Sequence, residues 1–137
     1  MAYWLFKTEP GTWSWDDQMN TDIEGWDGVR NHQACNNMRA MKIGDEGFFY
    51  HSVKEKQIVG IVKVAKEFHP DPSDASGKFG MVGISAVKPF KTPVTLADIK
   101  ADDRFEDLAL VRQSRLSVVP ISDEHWTMLC EMGGVKP

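Results

Sequence analysis

The residues with the greatest capacity for chemistry lie in one stretch, residues 26–39, which reads WDGVRNHQACNNMR. It holds a tryptophan, two arginines and four amide side chains, with almost no aliphatic residue. Each buried polar group left without a partner costs about 1–3 kcal/mol, so either the backbone or a ligand must satisfy these amides. His32 and Cys35 share a predicted helix face, but two side chains are too few for a metal site, and none is predicted.

The motifs of the common enzyme classes are absent from the sequence. It has no GxxxxGK[ST] or GxGxxG phosphate loop, and no GxSxG, HExxH or kinase signature. Ser52, His51 and Glu9 could still meet in space as a triad. However, His51 and Ser52 are neighbours on a predicted strand, so their side chains point to opposite faces. We therefore predict no catalytic residue and no cofactor, and these motifs do not indicate an enzyme.

Length and composition indicate one globular domain over residues 1–137, because 42% of the residues are hydrophobic and 26% are charged. No apolar run approaches the ~20 residues that span a bilayer, and the N-terminus does not resemble a secretory signal. Cys35 and Cys130 are isolated from each other, which is typical of a reducing compartment. We expect a cytoplasmic protein without a membrane partner.

The charge is unevenly distributed along the chain. The formal net charge is −4, yet residues 29–66 carry seven basic and three acidic side chains, or +4. Local basic character can orient a polyanion on an acidic protein. The alternative is a solvated surface with lysines on exposed strand edges.

The hydrophobic pattern predicts five strands, at residues 3–7, 47–52, 58–64, 81–87 and 112–119. A turn is predicted at 54–56 and a loop at 69–77. Short helices are predicted to begin after the N-cap residues Ser14, Asn31, Thr95 and Ser122, and the last carries the apolar stripe Trp126, Leu129 and Cys130. This pattern indicates an α+β fold, a small mixed β-barrel with short helices packed around it.

Four segments resemble the EVE domain family in order and spacing: YWLFKTEP, GWDGVRNHQACNNMRAMKIGD, FFYHS and LVRQSRLSVVP. The resemblance covers nearly the whole chain. It implies a compact β-barrel of the PUA-like superfamily, which also contains the YTH, ASCH and PUA domains. It further implies a module that holds a modified base of DNA or RNA, such as a methylated cytosine or adenine, in a pocket with aromatic walls.

The chain departs from the family's usual residues at a few positions. Cys35 stands where an arginine is usual, and this difference is expected to weaken a phosphate contact. Phe79 replaces a common tryptophan, Gly83 a common acid and Val119 a frequent glutamine. These three differences are expected to affect packing away from the pocket.

By this resemblance Trp26 forms the stacking wall of the pocket, although it could instead be a core residue. Asn31 either hydrogen-bonds the edge of a base with its amide or caps the following helix. Tyr50 and Ser52 share one face of a strand and are placed in the pocket. The family pattern places His51 there too, although its side chain faces the other way.

The ends of the first and last predicted strands complete the pocket. Three candidates leave the first strand, and two come from the last: Lys7, Thr8 and Glu9, with Leu116 and Ser117. Four arginines are candidates for phosphate contacts, with ordinary surface roles as the alternative: Arg30, Arg39, Arg112 and Arg115.

Two functions therefore remain open. The first is a binding module for a modified base in DNA or RNA, which would act together with a separate effector protein. The second is a small ASCH-like hydrolase acting on modified nucleosides, in which Lys7 and Glu9 would be required. That second interpretation rests on fold-level analogy.

Overall fold

A single mixed sheet with short helices around it forms the fold in the computed structural model, which describes residues 1–53 and 55–137. The strands are Tyr3–Thr8 (β1), Glu24–Gly25 (β2), Glu46–His51 (β3), Gln57–Pro70 (β4), Gly80–Thr95 (β5) and Val118–Ile121 (β6). The helices are Trp15–Met19 (α1), His32–Arg39 (α2), Leu96–Lys100 (α3), Ala109–Arg112 (α4) and Asp123–Met132 (α5). Lys54, in the predicted 54–56 turn, lies outside the described residues.

The α+β class is confirmed, but the predicted closed barrel is wrong. The strand order is β2-β5-β4-β3-β1-β6, with β1 parallel to β3 and every other pair antiparallel. Within the described ranges the two end strands, β2 and β6, do not pair with each other. These strands have only two and four residues, too few to close the sheet, and α2 packs across β4, β5 and β6 instead.

The core explains why the first and third strands have continuous apolar runs. Leu5, Phe6, Phe48 and Phe49 are all fully buried, since both faces of the paired strands β1 and β3 are covered. On α5 the predicted stripe is buried, and the Trp126 ring stacks on Phe48 at 4.1 Å between ring centroids.

The helix starts are set by local chemistry, and all four predicted N-caps are confirmed. Each cap side chain accepts a hydrogen bond from the backbone N–H three residues later, which satisfies a donor that the first helical turn leaves unpaired. The caps are Ser14, Asn31, Thr95 and Ser122. In the part of the chain that the structure describes, no helix is both long and apolar enough to cross a bilayer.

Two predicted boundaries are wrong. The predicted loop 69–77 starts inside β4, where His69 pairs with Met81 of β5. The predicted strand 112–119 is a helix end followed by a turn, and β6 begins only at Val118. The amide of Gln113 donates to the carbonyl of Ala109 at 2.7 Å, and these local hydrogen bonds prevent the segment from pairing with the sheet.

Candidate functional site

A cleft of about 300 Å³ opens where the end of β1 faces the loop between β2 and α2. We call it the tryptophan cleft. Its lining residues are Lys7, Thr8, Thr12, Trp13, Glu24, Gly25, Trp26, Asp27, Gly28, Val29, Arg30 and Ser117. Four of the ten residues that the sequence analysis placed in a base-binding pocket therefore line it: Lys7, Thr8, Trp26 and Ser117.

Trp26 belongs to the core and borders the cleft at the same time. Its backbone N–H donates to the carbonyl of Val82 at 2.8 Å, which fixes the residue to β5. Its ring packs edge-on against Phe6 and Phe49, with centroids 5.5 and 5.9 Å apart, and the residue is only 8% exposed. The ring is therefore held rigidly, with a small part of its surface available to the cleft.

Trp13, which the sequence analysis did not select, borders the same cleft and is half-buried. Its indole N–H donates to Gln18 Oε1 at 3.0 Å, and Gln18 Nε2 in turn donates to the carbonyl of Ile84 at 3.1 Å. Gln18 is completely buried, so this chain of hydrogen bonds fixes the Trp13 ring relative to the sheet. A tryptophan outside every predicted strand and helix, two residues after Gly11, was the signal that could have identified it.

A buried carboxylate holds the loop that carries Trp26. Asp71 is 2% exposed, and its Oδ2 accepts hydrogen bonds from the Gly28 amide at 2.8 Å and from Arg30 Nη1 at 3.1 Å. Its other oxygen accepts from the amide and hydroxyl of Ser73. Burial alone raises the pKa of Asp71, but the bonds from Ser73, Gly28 and Arg30 outweigh burial and hold the pKa at about 2. Asp71 is therefore a carboxylate at neutral pH.

The polar groups around the cleft come from separate segments. The Lys7 amide donates to the carbonyl of Ser117 at 2.9 Å, so β1 and the segment before β6 lie side by side. The Thr8 hydroxyl donates to the carbonyl of Trp13 at 2.9 Å. Burial, together with the charge of Asp27, raises the pKa of Glu24. Glu24 was also missed from the sequence, where a lone acid in a polar loop gave no signal.

The other six residues that the sequence analysis placed in the base-binding pocket lie outside this cleft. Asn31 Oδ1 accepts from the Ala34 amide at 2.9 Å, and with Leu116 it borders a separate depression. Tyr50 and Ser52 line another cleft, on the far side of Lys7. Glu9 is exposed and is not among the residues that line the tryptophan cleft.

His51 has a structural environment. Its Nε2 accepts from the Trp15 amide at 3.1 Å, and its Nδ1 lies 3.0 Å from Glu55 Oε2. The residue is 7% exposed. These contacts join the end of β3 to the start of α1, which is why His51 faces away from Tyr50 and Ser52.

The four arginines are all exposed, and three of them are bonded within the protein. Arg30 contacts Asp71 and Ser73, Arg39 lies 4.8 Å above the Phe68 ring, and Arg112 Nε donates to the Glu106 carbonyl at 2.7 Å. Arg115 borders the same depression as Asn31 and Arg112. Their contacts with phosphate stay a prediction.

The expectation for Cys35 is wrong, because position 35 faces the interior. The residue is 1% exposed, and its thiol lies 3.7 Å from the carbonyl of Val29. A cysteine here therefore affects packing between α2 and the loop before it. Within the described ranges, no group of three or more His, Cys, Asp or Glu side chains is placed to hold a metal ion.

Comparison with known proteins gives one family and several solved structures. A family model described as EVE domain matches residues 2–132. An NMR structure of a protein from Rhodopseudomonas palustris is 54% identical, with 98% of this chain and 94% of that chain covered and a TM-score of 0.93. A crystal structure of human THYN1 protein in complex with 5-methylcytosine-containing DNA is 32% identical, with both chains fully covered and a TM-score of 0.90.

A more distant likeness concerns the fold alone. The YTH domain of Zygosaccharomyces rouxii MRB1 protein, solved in complex with N6-methyladenosine RNA, is 11% identical. The alignment covers 99% of this chain and 88% of the YTH domain chain, with a TM-score of 0.62. The open sheet described above therefore has the same general fold as that YTH domain.

Proposed function

The chain belongs to the EVE domain family, and from that membership we propose that it is a nucleic-acid-binding module that holds a methylated base in the tryptophan cleft. One observation carries the proposal. Trp13 and Trp26 border the same cleft, in a chain that aligns over its full length with a human protein crystallised with 5-methylcytosine-containing DNA. The first ligand to test is accordingly 5-methylcytosine in DNA.

The energetics of such binding fit a cleft with rigid aromatic borders. A base must leave its stack before it can enter, at a cost of a few kcal/mol. Contact with an aromatic face returns about 1–3 kcal/mol per base. Because packing and hydrogen bonds already hold both tryptophan rings, little further ordering is needed when the base enters.

Polar groups in the cleft can recognise the edge of the base. Glu24 is a carboxylate acceptor of the type that pairs with the exocyclic amino group of cytosine. The Thr8 side chain offers a hydroxyl oxygen that can accept a second hydrogen bond.

The preference for a methylated base should be modest. Burying one additional methyl group yields about 0.8 kcal/mol. At 25 °C this corresponds to roughly a fourfold difference in affinity. A larger preference would require that the unmodified base leave an unfilled void in the cleft.

The hydrolase alternative requires Lys7 and Glu9 to act on one substrate. Lys7 Nζ donates to the carbonyl of Ser114 at 2.9 Å, whereas Glu9 is exposed outside the tryptophan cleft. No contact between the two side chains favours this function. Measuring product formation from modified nucleosides tests the hydrolase alternative.

Binding to matched single-stranded DNA oligonucleotides, which differ only in one 5-methyl group, tests the proposal. We expect wild-type protein to prefer the methylated strand about fourfold. Trp13→Ala should remove that preference because it removes one aromatic border of the cleft. Trp13 is only half-buried, so the substitution should leave most of the core intact. Tyr3→Ala is the matched control, because Tyr3 is a half-buried aromatic at the other end of β1. Equal affinities of wild-type protein for both strands, or an unchanged preference in Trp13→Ala, contradict the proposal.

A further inference from the structure

A second cleft, of about 340 Å³, adjoins the tryptophan cleft, and the Lys7 side chain borders both. It lies between the ends of β3 and β4 on one side and helices α3 and α4 on the other. We call it the lysine cleft. The residues that define it here are Lys7, Tyr50, Ser52, Lys56, Lys100 and Ser114.

The charge of the lysine cleft is positive. It is lined by three lysines, and none of the described residues that line it is acidic. The nearby acid Glu55 is held elsewhere, since its Oε2 lies 3.0 Å from His51 Nδ1 and 3.3 Å from Gln57 Nε2. A cleft with three ammonium groups and no lining carboxylate attracts an anion.

Two of these groups are fixed in position by the fold. Lys7 Nζ donates to the carbonyl of Ser114 at 2.9 Å, which leaves two of its three protons free for a ligand. Tyr50 is 3% exposed, and burial raises its pKa to about 12, so its hydroxyl keeps its proton and can donate. Both groups can therefore donate hydrogen bonds to a ligand in the cleft.

The backbone at Lys56 is held in an uncommon conformation. Its φ is +42°, in the left-handed region that residues other than glycine seldom adopt. The Lys56 carbonyl accepts from the Leu96 amide at 2.9 Å, which places Lys56 beside the helix that carries Lys100. Such local strain concentrates at binding sites, where the surroundings maintain it.

We propose that the lysine cleft binds a phosphate group, namely the backbone phosphate next to the nucleotide whose base occupies the tryptophan cleft. Lysine is a common phosphate ligand, and contacts of this kind set the register of a strand without reading its sequence. Because Lys7 borders both clefts, a strand that enters one passes beside the other. This assignment rests on the function proposed above.

The salt dependence of binding tests the assignment. Each phosphate contact on a single strand contributes about 0.7 to the slope of log affinity against log salt. We expect the double variant Lys56→Gln/Lys100→Gln to lower that slope by about 0.7, because the cleft is proposed to hold one phosphate. The matched control is Lys42→Gln/Lys63→Gln, which removes two exposed lysines at the other end of β3. An equal slope in wild-type protein and in Lys56→Gln/Lys100→Gln overturns the assignment.

Two further measurements separate the possible sources of the phosphate and the two proposals. Inorganic phosphate is titrated while the amide NMR signals of Ser52 and Ser114 are followed, in wild-type protein and in the lysine double variant. The cleft takes a free phosphate if the amide signals shift only when the lysines are present, while the salt slope of oligonucleotide binding is the same in both proteins. That result overturns the nucleic-acid assignment. The double variant should keep the wild-type preference for 5-methylcytosine. Absence of that preference in wild-type protein contradicts the proposed function, whereas an equal slope with the preference intact contradicts only the phosphate assignment.

Discussion

Asp71 Oδ2 accepts a 2.8 Å hydrogen bond from the Gly28 amide, and this contact joins residues 43 positions apart. Arg30 reaches the same oxygen at 3.1 Å. The two bonds fix both ends of the segment 28–30, which lies one residue beyond Trp26. The buried carboxylate of Asp71, the residue after β4, therefore fixes the loop that forms one border of the tryptophan cleft.

The stability of the protein should depend on the ionisation of Asp71. Its pKa is about 2 in the folded protein against an ordinary value of 3.8, so its contribution is complete above about pH 4 and is lost as pH falls towards 2. Chemical denaturation at a series of pH values should therefore show a steeper loss of unfolding free energy in wild-type protein than in Asp71→Asn. Parallel curves for the two proteins over this range would show that Asp71 is not held as described.

A β-carbon at position 28 should disturb the loop through its backbone alone. Gly28 has φ +76°, and a Cβ added there would meet no atom within 4 Å. Gly28→Ala should thus cost about 1–2 kcal/mol of unfolding free energy from the left-handed conformation. Gly11→Ala is the control, because its Cβ also meets open space and its φ is not positive. Equal thermal midpoints for the two variants would contradict this explanation.

The two roles considered for Asn31 can be separated by two substitutions. The structure shows the cap, with Asn31 Oδ1 accepting from the Ala34 amide. Asn31→Ala should lose about 1 kcal/mol of unfolding free energy, whereas Asn31→Asp should lose almost none, since aspartate caps equally well. If the amide also contacts a base, Asn31→Asp should weaken binding to the 5-methylcytosine strand without changing stability. Equal binding by Asn31→Asp and wild-type protein leaves capping as its role.

The sequence predicted best those features that depend on nearby residues. At the helix starts Ser14 and Ser122, the cap side chain accepts a hydrogen bond from the backbone N–H three residues later. A segment of four residues is therefore enough to predict each start. The apolar run from Trp4 to Phe6 likewise indicated a strand, and all three residues are buried in the structure. In each case the interaction partners are close in sequence or the burial is continuous.

The features that were missed depend on distant partners. Strand β2 has two residues and exists because Glu24 and Gly25 pair with β5, which no local pattern indicates. Similarly, Asp71 appeared to be an ordinary loop acid until the structure placed it against Gly28. The same limit applied to the site. The family resemblance placed Tyr50 beside Trp26, whereas the structure puts Tyr50 across Lys7 in the lysine cleft.

A methylated base that lies against the tryptophan rings, as we propose, should be detectable by NMR of the bound complex. A single-stranded DNA with one 5-methylcytosine, labelled with ¹³C at its methyl group, is added to the protein. We predict nuclear Overhauser effects between the methyl protons and ring protons of Trp13 or Trp26, which border the cleft. Methyl contacts with residues outside the tryptophan cleft, and none to either ring, would contradict the claim.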